Sequence, residues 1–152
     1  MAREKRTPEQ SSIDPATQEI TATIAGIPVN HGAAAAPDGS RLYFSSEAKY
    51  TLDVVDTESL EIMSEIPLSG RPNNISIGRD GRYVYVGIME APGGIDIIDT
   101  ERLTNIKTVE TNAPVHNVYV TPDGRHYVAG TFGTGDNLQV YSTATDELVF
   151  SM

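Results

Sequence analysis

The sequence predicts an all-β fold built from three tandem four-stranded antiparallel repeats, with one extra strand in front. Two observations carry that reading. A turn triplet recurs as Pro37-Asp38-Gly39, Arg79-Asp80-Gly81 and Pro122-Asp123-Gly124, so that its aspartates stand 42 and then 43 residues apart. A second signature keeps the same register as Ile13-Asp14, Val55-Asp56-Thr57, Ile98-Asp99-Thr100 and, in degraded form, Tyr141-Ser142-Thr143. Ten residues past the Asp or Ser of each copy stands an apolar residue: Ile24, Ile66, Val109 and Met152. A fixed period of this length marks one supersecondary unit repeated along the chain.

Within a repeat the segments are short and rich in Tyr, Val and Ile, as in Tyr83-Val84-Tyr85-Val86, or alternate apolar with polar, as in Leu52-Asp53-Val54 and Leu138-Gln139-Val140. Such runs read as strands, and no segment sustains a helical period. In the second copy the strands fall near residues 74–78, 82–88, 95–100 and 104–109, in the order inner, second, third and outer. The Pro-Asp-Gly triplet joins inner to second strand: proline presets φ, aspartate bonds nearby amides and glycine accepts positive φ. Asp-Thr-Glu-Ser and Asp-Thr-Glu-Arg supply side chains that bond backbone in the turn from third to outer strand. These aspartates are structural in this reading. Asp53, Asp96 and Gln139 recur at a spacing of 43 on the third strand, and one hydrogen bond repeated in each copy would explain them.

A single sheet of this size has two faces to bury, so successive sheets stack face to face around an axis as propeller blades. The all-small inner strand of the first copy, Gly32 to Ala36, suits convergence near an axis. An ordinary β-sandwich is the competing architecture, and turns at matching offsets in every copy argue against it. The expected organisation is an unstructured segment over 1–10 and a repeat domain over 11–152, with blades near 25–68, 69–110 and 111–152. A lone outer strand over 20–24 precedes them. Closed propellers have about four to eight blades, so three imply an incomplete propeller. Either the chain is a fragment of a longer one, or two copies form a homodimer closing a six-bladed ring.

The formal net charge is -10, with 11 Lys plus Arg against 21 Asp plus Glu. That lacks the basic field of a nucleic-acid binder, so no nucleic-acid partner is expected. With no cysteine, disulfide frameworks, thiol chemistry and cysteine-ligated metal centres are excluded. The longest apolar stretch, Tyr83 to Met89, is far short of the roughly 20 residues a membrane span needs. Met1 to Gln10 is charged and polar and carries no signal-peptide pattern.

In an up-and-down sheet the loops alternate between two ends, so outer-to-inner connections share a rim with second-to-third connections. His31, Asn73 and His116 enter inner strands on that rim. They are joined there by loops near 46–50, 89–94 and 131–137, which carry Glu47, Glu90 and Asp136. Loops that differ on a regular scaffold are where binding usually resides, so these six residues form the candidate ligand rim. Two imidazoles among carboxylates have the chemistry for metal binding or acid–base work at neutral pH. The plainer role for histidine here is to bond backbone and join blades, and no metal site is expected. His126 lies on the opposite rim. Gly133 to Asn137 lacks the ligand set of a calcium loop and reads as a glycine-rich hairpin. No phosphate-loop, dinucleotide or nucleophile-elbow motif is present, and neither a catalytic residue nor a cofactor is identified.

The apolar inner strand, Pro-Asp-Gly, Tyr-Val strand and Val-Ile-Asp-Thr order resembles the YVTN-type β-propeller repeat family over Ile13 to Met152. The matching residues are Tyr85-Val86 and Ile98-Asp99-Thr100, Tyr43 and Val55-Asp56-Thr57, and Pro122-Asp123-Gly124. The Thr-Asn that follows Tyr-Val in that family is here Ser45-Ser46, Gly87-Ile88 and Gly130-Thr131. In the third copy the tyrosine slips one place, to Tyr127. The resemblance implies a propeller and a periplasmic or secreted location. It also implies a function among binding scaffolds, lactonases and haem- or quinone-linked periplasmic oxidoreductases. The expected function is a non-catalytic scaffold for a protein or small-molecule ligand, with the enzyme classes as the alternative.

Overall fold

The computed structural model describes residues 9–28, 30–133 and 137–152, and all regular structure among them is β. A hairpin of β1 (Glu9–Ile13) and β2 (Ile20–Ala25) comes first. Blade 1 is β3 (Asn30–Ala35), β4 (Arg41–Ser46), β5 (Thr51–Asp56) and β6 (Ile62–Pro67). Blade 2 is β7 (Pro72–Ile77), β8 (Tyr83–Ile88), β9 (Gly94–Asp99) and β10 (Thr104–Glu110). Blade 3 is β11 (Val115–Val120), β12 (His126–Thr131), β13 (Leu138–Ser142) and β14 (Leu148–Ser151). Each blade is an antiparallel meander, and the array is not closed into a ring.

The leading element differs from expectation. In place of a lone outer strand, β1 pairs with β2 from Glu9↔Ala25 to Ile13↔Ile20. This hairpin is the third and outer strands of a further blade, because Asp14 builds the same turn as its counterparts. Asp14 Oδ1 accepts from the Ala16 amide at 2.7 Å. Asp56 Oδ1 accepts from Glu58 and Ser59, and Asp99 Oδ1 from Glu101 and Arg102. Four residues after each signature residue the chain turns left-handed, at Gln18 (φ 62), Leu60 (φ 59), Leu103 (φ 52) and Asp146 (φ 58). The same register thus reaches back into the stretch expected to be unstructured, where Glu9 and Gln10 belong to β1; residues 1–8 lie outside the described residues.

The signature threonine locks the two turns of each blade together. Thr57, Thr100 and Thr143 donate their hydroxyls to the carbonyls of Gly39, Gly81 and Gly124 at 2.8, 2.7 and 2.8 Å. Their amides donate to Ser40, Arg82 and Arg125. The accepting glycines sit at φ 75, 74 and 70, where a side chain would strain the backbone. Degeneration of the third signature to Ser142 keeps this bond, because the threonine beside it supplies it.

The core lies between sheets, not within them. Tyr43, Leu52, Val54 and Ile66 of blade 1 meet Ile75, Val84, Val86 and Ile98 of blade 2. Tyr85, Ile95 and Ile97 of blade 2 meet Val115, Val118 and Tyr127 of blade 3. Ile24 and Ile27 cover Phe44 and Val55 on the other face of blade 1. The slipped tyrosine fits this scheme: Tyr127 stacks on Tyr141 (5.2 Å, 8°) and tilts against Tyr85 (4.6 Å).

Inner strands meet almost backbone to backbone. The Val118 and Val120 amides donate to Asn74 Oδ1 and Ser76 Oγ across the junction of blades 2 and 3 (both 3.1 Å). At the junction of blades 1 and 2, a Cβ on Gly32 would stand 2.7 Å from the Ile75 nitrogen. The third-strand trio receives no common explanation. Asp53 accepts from Thr51 and Lys49, Asp96 from Ser69 and Thr108, and Gln139 from the Tyr141 hydroxyl. The position is buried in every blade, yet each blade brings a different donor to it.

Two outcomes follow. Gly32→Ala is expected to lower stability by about 1–3 kcal/mol, because backbone cannot retreat from the added methyl, read as a shift of the urea unfolding midpoint. Backbone amides hold the turn carboxylates below the ordinary range: Ser40 for Asp38, Ser59 for Asp56, and Arg102 for Asp99. At Asp123 the Thr121 hydroxyl acts first and the Arg125 amide second. With folded values below the unfolded one, the stability they contribute is complete above about pH 4 and is lost as pH falls through the folded values. Replacing Asp56 and Asp99 together by Asn is expected to lower stability at neutral pH and flatten its decline in acid, measured by denaturant unfolding across pH.

Candidate functional site

The rim built from outer-to-inner linkers and second-to-third loops is held by a buried carboxylate. Asp96 accepts from the Ser69 amide (2.7 Å), the Ser69 hydroxyl (2.8 Å) and the Thr108 hydroxyl (2.6 Å). Ser69 belongs to the linker from blade 1, so Asp96 ties that linker to blade 2. Two residues on, Arg71 is bonded on three sides. Its carbonyl accepts from the Met89 amide, its amide donates to Glu90 Oε2 (3.1 Å), and its guanidinium reaches Glu47 Oε1 (3.2 Å).

Glu47 also takes His31, with Nε2 to Oε2 at 2.7 Å. His31, Glu47, Arg71 and Glu90 thus form one chain of partners across the junction of blades 1 and 2. Asn73 is drawn into the same place from below. Its carbonyl accepts from the buried Ser45 hydroxyl (2.5 Å), and its amide group donates to Met89 Sδ (3.1 Å). Ser45 also accepts from the Gly32 amide (2.8 Å), so this one hydroxyl stitches two inner strands together.

Two candidates remain. His116 meets Phe132 edge to face at 4.8 Å in blade 3. Asp136 lies outside the described residues, as does the centre of the Gly133 to Asn137 segment. Beside Glu90 a shallow cavity of about 340 Å³ runs from Ser69 to Glu110, roofed by the Pro92-Gly93 loop. Gly93 (φ 102) is obligatory there, because its Cβ position lies 2.2 Å from the Ala113 carbonyl oxygen. Among the described residues no group of three or more His, Cys, Asp or Glu side chains is placed to hold a metal ion.

Two cations at this rim escape a reading based on repeated positions. Arg71 stands where the other copies have Val29 and Pro114, and that break in the repeat was its only signal. Lys49 sits in a loop and bonds Gly26 carbonyl (3.1 Å), Asp53 (3.1 Å) and Glu65. Burial alone would lower its pKa, but the Glu65 and Asp53 carboxylates outweigh burial and hold it above the ordinary lysine value.

Asp96→Asn keeps the shape of the linker clamp but sets an amide against donors. It is expected to cost about 1–3 kcal/mol, read by denaturant unfolding, and to raise hydrogen exchange at the Ser69 and Arg71 amides.

No family model and no curated protein matches the chain. Among solved structures it is similar to Kuenenia stuttgartiensis hydrazine synthase, with a TM-score of 0.85 and 28% identity over 94% of this chain and 42% of that one. It is also similar to the dihydro-heme d1 dehydrogenase NirN in complex with DHE, with a TM-score of 0.73 and 21% identity over 93% of this chain and 32% of that one. Both are β-propeller proteins, and the blades described above are propeller blades. The chain spans less than half the length of either.

Proposed function

We propose that the chain is a non-catalytic sector of a β-propeller acting as a binding scaffold. Its ligand meets the rim that carries His31, Glu47, Asn73, Glu90 and His116, together with Arg71. The observation that supports this is the chain of partners from His31 through Glu47 and Arg71 to Glu90. A general base or nucleophile must be free to meet its substrate, and here the imidazole and both carboxylates fix loops of two blades against one another. The variable loops, two carboxylates against one guanidinium, and a net charge of -10 suit a basic protein segment.

The test uses the purified chain with pools of basic, acidic and neutral peptides, followed by hydrogen exchange. Basic peptides are expected to protect 47–50 and 89–94 saturably, and Glu47→Gln with Glu90→Gln to weaken that protection. Protection confined to the opposite rim would overturn the assignment. A homodimeric six-bladed ring is the less favoured assembly, because Ile24 and Ile27 already cover the face of blade 1 on which a second copy's blade would have to stack.

A second reading, a sector of a propeller enzyme, is favoured by the 28% identity to hydrazine synthase across nearly the whole chain. Haem added to the purified chain distinguishes the two. A saturable Soret shift abolished by His31→Ala would turn the assignment to the enzyme, and its absence supports the scaffold.

A further inference from the structure

The rim opposite the candidate ligand face carries two cavities that are copies of one another. The cavity at the junction of blades 1 and 2, about 290 Å³, is lined by Asp38, Arg41, Tyr43, Asp80 and Thr100. The cavity at the junction of blades 2 and 3, about 410 Å³, is lined by Asp80, Tyr83, Tyr85, Asp123 and Thr143. Stepping one repeat along the sequence converts each residue of the first set into its counterpart in the second. Among these five pairs the one exchange that changes chemistry is Arg41 for Tyr83. Elsewhere Pro37 of the first lining gives way to Arg79 in the second, and the counterpart of Glu101 is Ala144.

In the first cavity Arg41 is the resident cation. Its Nη1 donates to the Thr100 carbonyl at 2.8 Å, from the start of β4 across to the neighbouring blade. Burial raises the Tyr43 phenol, and the Arg41 guanidinium beside it pulls the other way. The same guanidinium helps to hold Asp38 and Asp56 in their charged forms. A carbonyl, a phenol and carboxylates are the complement of a planar cation with several N–H donors.

The second cavity keeps a carbonyl, a phenol and Asp80 and has no cation in Arg41's position; its own lining arginine, Arg79, comes from the Arg79-Asp80-Gly81 turn instead. Among the described residues no donor reaches the Thr143 carbonyl, and the Tyr85 hydroxyl has no hydrogen-bond partner. Tyr83, in Arg41's place, has an uncharged ring with the Arg82 guanidinium 5.5 Å from its centroid. Burial first, then Asp146, Asp80 and Tyr83, push the Tyr85 phenol up to about 12, with no cation opposing them. The charged groups at the mouth have other partners on one side only. Arg79 Nη1 is directed at the Pro122 carbonyl (3.4 Å), and Arg125 Nε is paired with Asp123 (2.7 Å). Asp80 accepts only from the Arg82 amide, through Oδ1 (3.1 Å).

We propose that the cavity between blades 2 and 3 binds a guanidinium group, carried by a small molecule or by an arginine side chain, in the position that Arg41 fills between blades 1 and 2. The Thr143 carbonyl and Tyr85 hydroxyl accept its N–H groups, and Asp80 supplies the counter-charge. This site is independent of the ligand rim argued above and fails or stands separately from it.

The experiment titrates the full chain with methylguanidinium, with Nα-acetyl-arginine methylamide and with the corresponding lysine amide, followed by NMR of the Tyr85 ring and the Thr143 and Ala144 amides. Saturable shifts with both guanidinium probes, and much weaker ones with lysine, are the expected result. A preference for the arginine amide over methylguanidinium would identify a peptide source, and the reverse a small molecule. Tyr83→Arg places the missing group in the chain itself and is expected to abolish the shifts. Arg41→Ala empties the first cavity and is expected to add a second set of shifts at Tyr43 and Thr100, doubling the stoichiometry. Because that variant gains a site, it keeps the test decisive if Tyr83→Arg fails to fold. Absence of saturable shifts in the wild-type chain, shifts equal with lysine, or no second site in Arg41→Ala would each overturn the proposal.

Discussion

The sheets of blades 1 and 2 each have two apolar faces, and neither can be covered from within its own repeat. Most of what is distinctive in the structure follows from that. Tyr43, Leu52 and Val54 need Ile75 and Val84 from the next blade, Tyr85 and Ile97 need Val115 and Val118 from the one after, and Phe44 and Val55 need Ile24 and Ile27 from the hairpin before. Association of adjacent sheets is therefore the folding event, and each blade depends on its neighbours in the manner of a one-dimensional array. The tight approach at Gly32 and the bonds from β11 to Asn74 and Ser76 are consequences of bringing such sheets together around an axis.

This division explains which parts of the fold were legible in the sequence. Turns are local: an Asp that bonds amides two and three residues on, a threonine that reaches a glycine carbonyl and a glycine at positive φ leave the same mark in every copy. Those marks gave the period, the strand order and the three blades. They also contained the half-blade, because Ile13-Asp14 carries the signature of a third strand. Reading only the strand after it as ordered overlooked that the same signature requires a strand before it. Buried polar positions were less legible. Asp53, Asp96 and Gln139 share a register and a buried setting, but their donors come from a loop lysine, a linker serine and a neighbouring tyrosine. A sequence period shows that a position recurs, and says nothing of which non-local group will arrive there.

The rim shows the same limit from the other side. Strand parity correctly puts His31, Glu47, Asn73 and Glu90 at one end of the blades, because parity is a property of the meander. It could not show that Arg71 would link Glu47 to Glu90 and so turn separate residues into one network, since Arg71 matches nothing in the other copies. His116 has the repeat position of His31, but among the described residues no carboxylate pairs with it, and it rests on Phe132. Equivalent positions thus acquire different roles according to what the neighbouring loop happens to carry.

In a repeat protein, then, sameness and difference between copies hold different information. What is common to all copies answers the shared problem of turning the chain and covering a sheet. What differs at a common position is free of that demand, and it is there that chemistry can be specific to one junction. Arg71 against Pro114 and Arg41 against Tyr83 are two such differences, on opposite rims. In the first a cation is added and two loops are drawn together. In the second no cation stands at the Arg41 position, and a carbonyl, a phenol and a carboxylate whose counterparts face Arg41 elsewhere in the same chain are left facing a cavity. The structure supplies its own reference state for that cavity one blade away, which makes the difference interpretable in terms of hydrogen bonds and charge.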